Sequence, residues 1–175
     1  MSKENITQEP VNKEVKATIS NAKGLKYVPD ENRLVIKGTL SIFRYSTTKY
    51  QGDKEVYQVS VKTDCLTPEV IDDMVKRYFS DTKDKYYPSF IKDGLENGCK
   101  EPIFVNLKSQ YEFGTFLPGD GNKRYTYDDV IKMGDGLAPL QSEVTLSIRL
   151  KEKSAYPLAL RIDKLVKQDA SDYFD

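Results

Sequence analysis

The stretch RLVIKGTLSIFRYS, residues 33–46, alternates apolar and polar residues. Leu34, Ile36, Leu40 and Ile42 fall on one face, with Gly38 between them; Val35, Lys37, Thr39, Ser41 and Phe43 fall on the other. A period of two is that of a β-strand with one buried face, because successive side chains leave the backbone on opposite sides. A glycine inside such a run marks a bulge or a sharp bend, which small barrels need where a strand turns a corner. The pattern returns in EVYQVSVKT through Tyr57, Val59 and Val61, and in EPIFVNLKS through Ile103, Val105 and Leu107. It is clearest in SEVTLSIRLKE and PLALRIDKLVK, which KSAY joins as a turn. TTKYQGDK reads as the loop between the first two strands, with Gly52-Asp53 at its tip, and those strands are expected to pair antiparallel.

One helix interrupts the strands. Thr67 is a suitable N-cap, Pro68 suits the first helical position and Glu69 the first turn. Val70, Ile71, Met74, Val75, Tyr78 and Phe79 recur at three- and four-residue spacing, so an amphipathic helix is expected over 68–79. NAKGLKYVPDEN, SDTKDKYYPSF, LENGCKEP and LPGDGNKRY read as loops. TYDDVIKMG suggests one helical turn and QYEFGTF an irregular strand. The expectation is a mainly β chain with one or two helices. About five strands with an inserted helix, and no parallel βαβ rhythm, fit an OB-like Greek-key barrel. That fold places its helix after the third strand, a position the helix reaches if residues 15–20 form the first strand. Residues 1–20 are expected to be a flexible arm, 21–167 the domain and 168–175 an acidic tail.

Composition narrows the chemistry. The 175 residues include no histidine and no tryptophan, but 12 tyrosines and 7 phenylalanines. Without imidazole there is no His-dependent triad, no imidazole zinc site and no general base of the commonest kind. Cys65 and Cys99 sit in unlike contexts and are expected to be reduced thiols. No apolar run reaches the roughly eighteen residues of a membrane span. MSKENITQEPVNKEVK lacks a signal-peptide core, so a cytoplasmic location is expected. The 27 basic and 27 acidic residues cancel, but residues 1–167 carry 27 basic against 24 acidic, or +3. Such asymmetry points towards nucleic-acid contact.

FRYSTTKYQGDKEVYQVSVK, residues 43–62, interleaves rings with cations. Its ordinary reading is a hairpin with half-buried tyrosines. Its functional reading is a single-strand-binding face, where Tyr45, Tyr50 and Tyr57 stack on bases while Arg44, Lys49, Lys54 and Lys62 meet phosphates. Tyr86 and Tyr87 in KDKYYPSF, and Lys123, Arg124 and Tyr125 beside LPGDGN, are further candidates. The glycines of LPGDGNKR lack Walker A spacing. Asp128, Asp129 and Asp135 in TYDDVIKMGDG lack EF-hand spacing, and aspartates at a helix start are explained by capping, so no metal, cofactor or catalytic residue is assigned.

GLAPLQSEVTLSIRLKEKSAYPLALRIDKL together with the tail QDASDYFD resembles single-stranded DNA-binding proteins of phages and conjugative plasmids of Gram-positive bacteria. The resemblance implies a non-enzymatic OB-type protein in a bacterial host cell, binding single-stranded DNA in replication or recombination. It implies that the tail, with Asp169, Asp172, Tyr173, Phe174 and Asp175, recruits replication or recombination proteins and competes with DNA for the basic face. Self-association is left open. The alternative is a protein-interaction factor, such as a phage inhibitor of a host enzyme or a virion component, because tyrosine-rich patches also serve protein interfaces. A carboxylate-metal nuclease ranks last.

Overall fold

The computed structural model describes residues 24–48, 54–79, 90–93 and 103–169. Among them the chain runs β1 (Leu25–Val28), a 3-10 turn (Pro29–Glu31), β2 (Arg33–Thr48), β3 (Lys54–Lys62), α1 (Pro68–Tyr78), β4 (Ile91–Asp93), β5 (Ile103–Ser109), β6 (Gly114–Phe116), α2 (Tyr127–Met133), β7 (Glu143–Lys151) and β8 (Ser154–Lys164).

The strands form one curled sheet in the order β4-β5-β3-β2-β7-β8-β6, with β1 also on β2. All pairs are antiparallel except β6 with β8. The sixteen-residue β2 organises the sheet. Residues 33–39 pair with β7, while residues 39–48 pair with β3. The strand therefore passes from one half of the sheet to the other, and this corner curls the sheet into an OB-like half-barrel.

The interior holds Leu34, Ile36 and Leu40 of β2, Val59 and Val61 of β3, and Val105 and Leu107 of β5. Val144, Leu146, Ile148 and Leu150 of β7, with Leu160 and Ile162 of β8, complete it. Each such side chain stabilises the fold by about 1.5–3 kcal/mol. Thr67 caps α1 by accepting from the Val70 amide at 3.3 Å, and the helix buries Val70, Ile71 and Met74. It is tied to the turn after β1, where the Tyr78 hydroxyl bonds Pro29 O and Asn32 Oδ1, both at 3.0 Å.

Several expectations need correction. The described strands number eight, not five. Leu25–Val28, read as loop, is a strand burying Leu25 and Tyr27; two alternations between Gly24 and Pro29 are too short a signal to read. The short first strand is thus β1, and α1 follows the third strand, β3. Residues 15–20 lie outside the described residues. TYDDVIKMG makes a seven-residue helix rather than one turn, closed by a Thr126–Asp129 capping box. The turn read at KSAY lies earlier: β7 ends at Lys151 and β8 begins at Ser154, so Glu152-Lys153 make the turn and Ser154–Tyr156 belong to the strand. Phe43 changes face. The β2–β3 register slips between Leu40 and Ile42. This bulge turns Phe43 inward, to 3% exposure, and Ile42 outward.

Candidate nucleic-acid interface

Cross-strand partners share a face of a sheet, so the register assigns every hairpin side chain. Phe43 pairs with Val59, Tyr45 with Tyr57 and Thr47 with Glu55, continuing the face of the buried Leu40 and Val61. Arg44 pairs with Gln58, Ile42 with Ser60 and Lys62 with Thr39, on the outer face. Lys54, opposite Thr48, shares this outer parity. The structure therefore separates the candidates: Arg44, Lys54 and Lys62 stand on the outer face, Tyr45 and Tyr57 on the inner one.

The outer face extends onto β5. Lys108 lies beside Gln58, Asn106 beside Ser60 and Phe104 beside Lys62. The three strands give three rows: Lys108–Gln58–Arg44, Asn106–Ser60–Ile42 and Phe104–Lys62–Thr39. Gln58, 5% exposed, joins the first two rows. Its Oε1 accepts from Arg44 Nε at 2.7 Å, and its Nε2 donates to Asn106 Oδ1 at 2.9 Å. The guanidinium is thereby oriented before any ligand arrives. The Lys62 ammonium lies 5.6 Å from the centre of the Phe104 ring. Among the described residues no carboxylate stands in these three-strand rows; the exposed Glu143 of β7 follows Thr39 at the end of the third.

A cleft of about 260 Å³ opens at the edge of this face, lined by Phe90, Asn106, Leu107, Lys108, Lys153, Ser154 and Ala155. It lies where β5 approaches the start of β8 without a ladder between them. Beyond the turn, the Lys151 ammonium sits 5.2 Å from the Tyr156 ring centre. Cations, amides, a ring and an open groove can hold phosphates, base edges and one base face.

The inner face is different. Tyr45 and Tyr57 have ring centres 5.0 Å apart, and Tyr127 at the start of α2 approaches them at 6.1 and 6.4 Å. Tyr127 also stacks on Phe43 at 5.0 Å. Carboxylates surround this shelf. The Tyr45 hydroxyl donates to Glu55 Oε1 at 3.3 Å, and Glu112 accepts from the Tyr127 amide at 2.6 Å. Desolvation raises the pKa of both phenols; after it, Glu55 is the main influence on Tyr45 and Glu112 on Tyr57, with Asp128 contributing to both.

The remaining candidates fall elsewhere. Tyr125 is buried, and its hydroxyl donates to Asp120 Oδ2 at 2.6 Å, which raises its pKa. Lys123 lies over that ring at 5.0 Å, and Arg124 Nη2 donates to Glu112 O at 3.3 Å. Both cations are exposed and lie between β6 and α2, on none of the three strands that carry the outer rows. Asp169 is exposed. Lys49, Tyr50, Tyr86, Tyr87, Asp172, Tyr173, Phe174 and Asp175 lie outside the described residues. Phe104, Asn106 and Lys108 were not singled out from the sequence, although placing Ile103, Val105 and Leu107 on one side leaves them on the other.

No protein-family model and no curated protein matches the sequence. Solved structures match the fold. The single-stranded DNA-binding protein from bacteriophage Enc34 superposes with a TM-score of 0.57 at 15% identity, over 87% of this chain and 95% of that one. The same phage protein in complex with ssDNA gives 0.56 at 13%, over 81% and 91%. Its C-terminal truncation gives 0.53 at 14%, over 76% and 86%.

Proposed function

We propose that the chain binds single-stranded DNA with little sequence preference, in phage or plasmid replication or recombination, across the outer face of β2, β3 and β5. The observation that carries the reading is the cluster on β2, β3 and β5 in which Arg44, Lys62 and Lys108 surround Gln58, Asn106 and Phe104, with no carboxylate among the described residues of those three rows. The fold shared with a phage protein whose complex contains ssDNA supports it. Arg44, Lys62, Lys108 and Lys54 meet phosphates, and Phe104 offers a stacking surface. Stacking contributes about 1–3 kcal/mol per base, and phosphate contacts make affinity fall with salt. The Lys108–Lys153 cleft extends the groove for the backbone. The tail residues Asp169 to Asp175 remain, in this reading, a segment for recruiting replication proteins.

The test is fluorescence anisotropy with labelled oligo-dT and a duplex control at two salt concentrations. The reading expects tight, salt-weakened binding to the single strand. It expects Lys108→Ala and Arg44→Ala each to weaken binding and to reduce the salt slope by about one. Absence of binding at low salt would overturn it.

A further inference from the structure

The tyrosine shelf on the inner face has a chemistry the DNA reading does not use. Its rings are accessible: Tyr45 is 37% exposed, and Tyr57 and Tyr127 are half-buried. Three carboxylates stand at it, Glu55 and Asp128 exposed and Glu112 half-buried. Among the described residues none of the three is in an ion pair, no described cation of β2 or β3 shares the face, and Arg124 meets Glu112 at its backbone oxygen rather than its carboxylate. A phosphodiester is repelled by such a rim, whereas a guanidinium or ammonium gains from the carboxylates and from the π-faces.

A second observation concerns the backbone. Among the described residues β2 is bonded from Ile42 onward on its β3 side only, because its pairing with β7 ends at Thr39. The last links on that side are Leu40 N to Ser142 O and Gln141 N to Leu40 O. Among the described residues no strand lies along the other edge of residues 42–48. A free edge accepts an extended segment, and strand addition places every second side chain of the newcomer on one face.

We infer that the edge of β2 left open by the described strands and the tyrosine shelf together form a docking site for an extended, arginine- or lysine-bearing segment of a partner protein. The segment adds to the edge beside Phe43–Thr47, and its alternate cations lie over Tyr45, Tyr57 and Tyr127 among Glu55, Glu112 and Asp128. The chain's own tail, QDASDYFD, has the wrong charge for this place. The site stands on the opposite face from the proposed DNA rows, so one molecule can hold DNA and partner together.

The probe is a labelled eight-residue peptide of alternating arginine and threonine, with a neutral citrulline version as control, added to the full-length chain. Binding of the arginine peptide alone is expected, with hydrogen-exchange protection gained in residues 43–47. Tyr45→Ala should weaken it about fivefold, the size of a partly exposed cation–π contact. Glu55→Gln paired with Asp128→Asn should weaken it by a similar factor and leave the side-chain shapes intact. Oligo-dT affinity should stay unchanged in both variants. Equal affinity for the citrulline peptide, no effect of either variant, or absence of peptide binding at low salt would overturn the inference. So would a loss of oligo-dT affinity in the shelf variants, which would assign the tyrosines to DNA instead. Failure of the DNA reading alone would leave peptide binding in place, so the two proposals are separable.

Discussion

Gly38 runs so close to Lys62 that a Cβ placed on it would lie 2.1 Å from the Lys62 carbonyl oxygen and 2.6 Å from Val61 Cγ1. The approach occurs where β2 passes from its β7 partner to its β3 partner. It also sets the position of Lys62, one of the cations of the outer face. Gly38→Ala must push apart two backbones, which do not give as a flexible side chain would. The expected loss is about 2–4 kcal/mol of stability, within the range of overpacking and strain. Urea denaturation measures it, and a change below about 0.5 kcal/mol would contradict the close approach.

The Arg44–Gln58–Asn106 chain ties three strands by side-chain bonds. Gln58→Ala leaves Asn106 Oδ1 and the Arg44 Nε without this partner. The expected effect is about 1–2 kcal/mol of stability, from a lost buried bond that leaves polar groups behind. Oligo-dT affinity should also fall, because the guanidinium loses its orientation. Anisotropy and urea melts on one variant separate the two effects.

Tyr27 is 1% exposed, and its phenol donates to Asp73, which also accepts from Arg77 Nε at 2.7 Å. Burial, and then Asp73, push the phenol far above its ordinary pKa. An unfolded tyrosine titrates at about 10. Below that pH both states keep the proton and stability does not depend on it. Above it the unfolded chain releases the proton while the folded chain holds it, so stability falls as pH rises. Tyr27→Phe is expected to be less stable at neutral pH and to lose less stability between about pH 10 and 11 than the parent. Thermal melts across that range test it; identical slopes would sink the assignment.

The capping box of α2 holds Tyr127 at the tyrosine shelf. Thr126 Oγ1 accepts from the Asp129 amide at 3.1 Å, and Asp129 Oδ2 accepts from the Thr126 amide at 3.0 Å. Thr126→Ala is expected to lower stability by about 1 kcal/mol. The Thr126 amide, and after it the Thr126 side chain, hold the Asp129 carboxyl below its ordinary pKa. The Asp129 contribution is thus present above the unfolded carboxylate pKa of about 4 and is lost as pH falls through the lower folded value. Asp129→Asn should show a shallower loss of stability on acidification, read by chemical melts at a series of acid pH values.

Much of the site was legible in the residue order. Tyr57 is odd and Lys54, Gln58 and Lys62 are even, so one strand must put the ring and the cations on opposite sides. The same holds for Arg44 and Tyr45. Reading the rings and cations of 43–62 as one face overlooked this parity. The parity of Phe104, Asn106 and Lys108 was equally visible beside Ile103, Val105 and Leu107.

Alternation, the Thr67-Pro68 helix start and the glycine inside β2 were determined by the sequence alone, because each depends on a few neighbouring residues. Which face of the hairpin becomes the outside was not, since the bulge after Leu40 inverts the count and nothing local marks its place. Nor could local pattern bring Lys108 beside Gln58, or Tyr127 over Tyr45 and Phe43. Those meetings join segments tens of residues apart. Their register is set by which arrangement packs the shared interior, and that is a property of the whole folded chain.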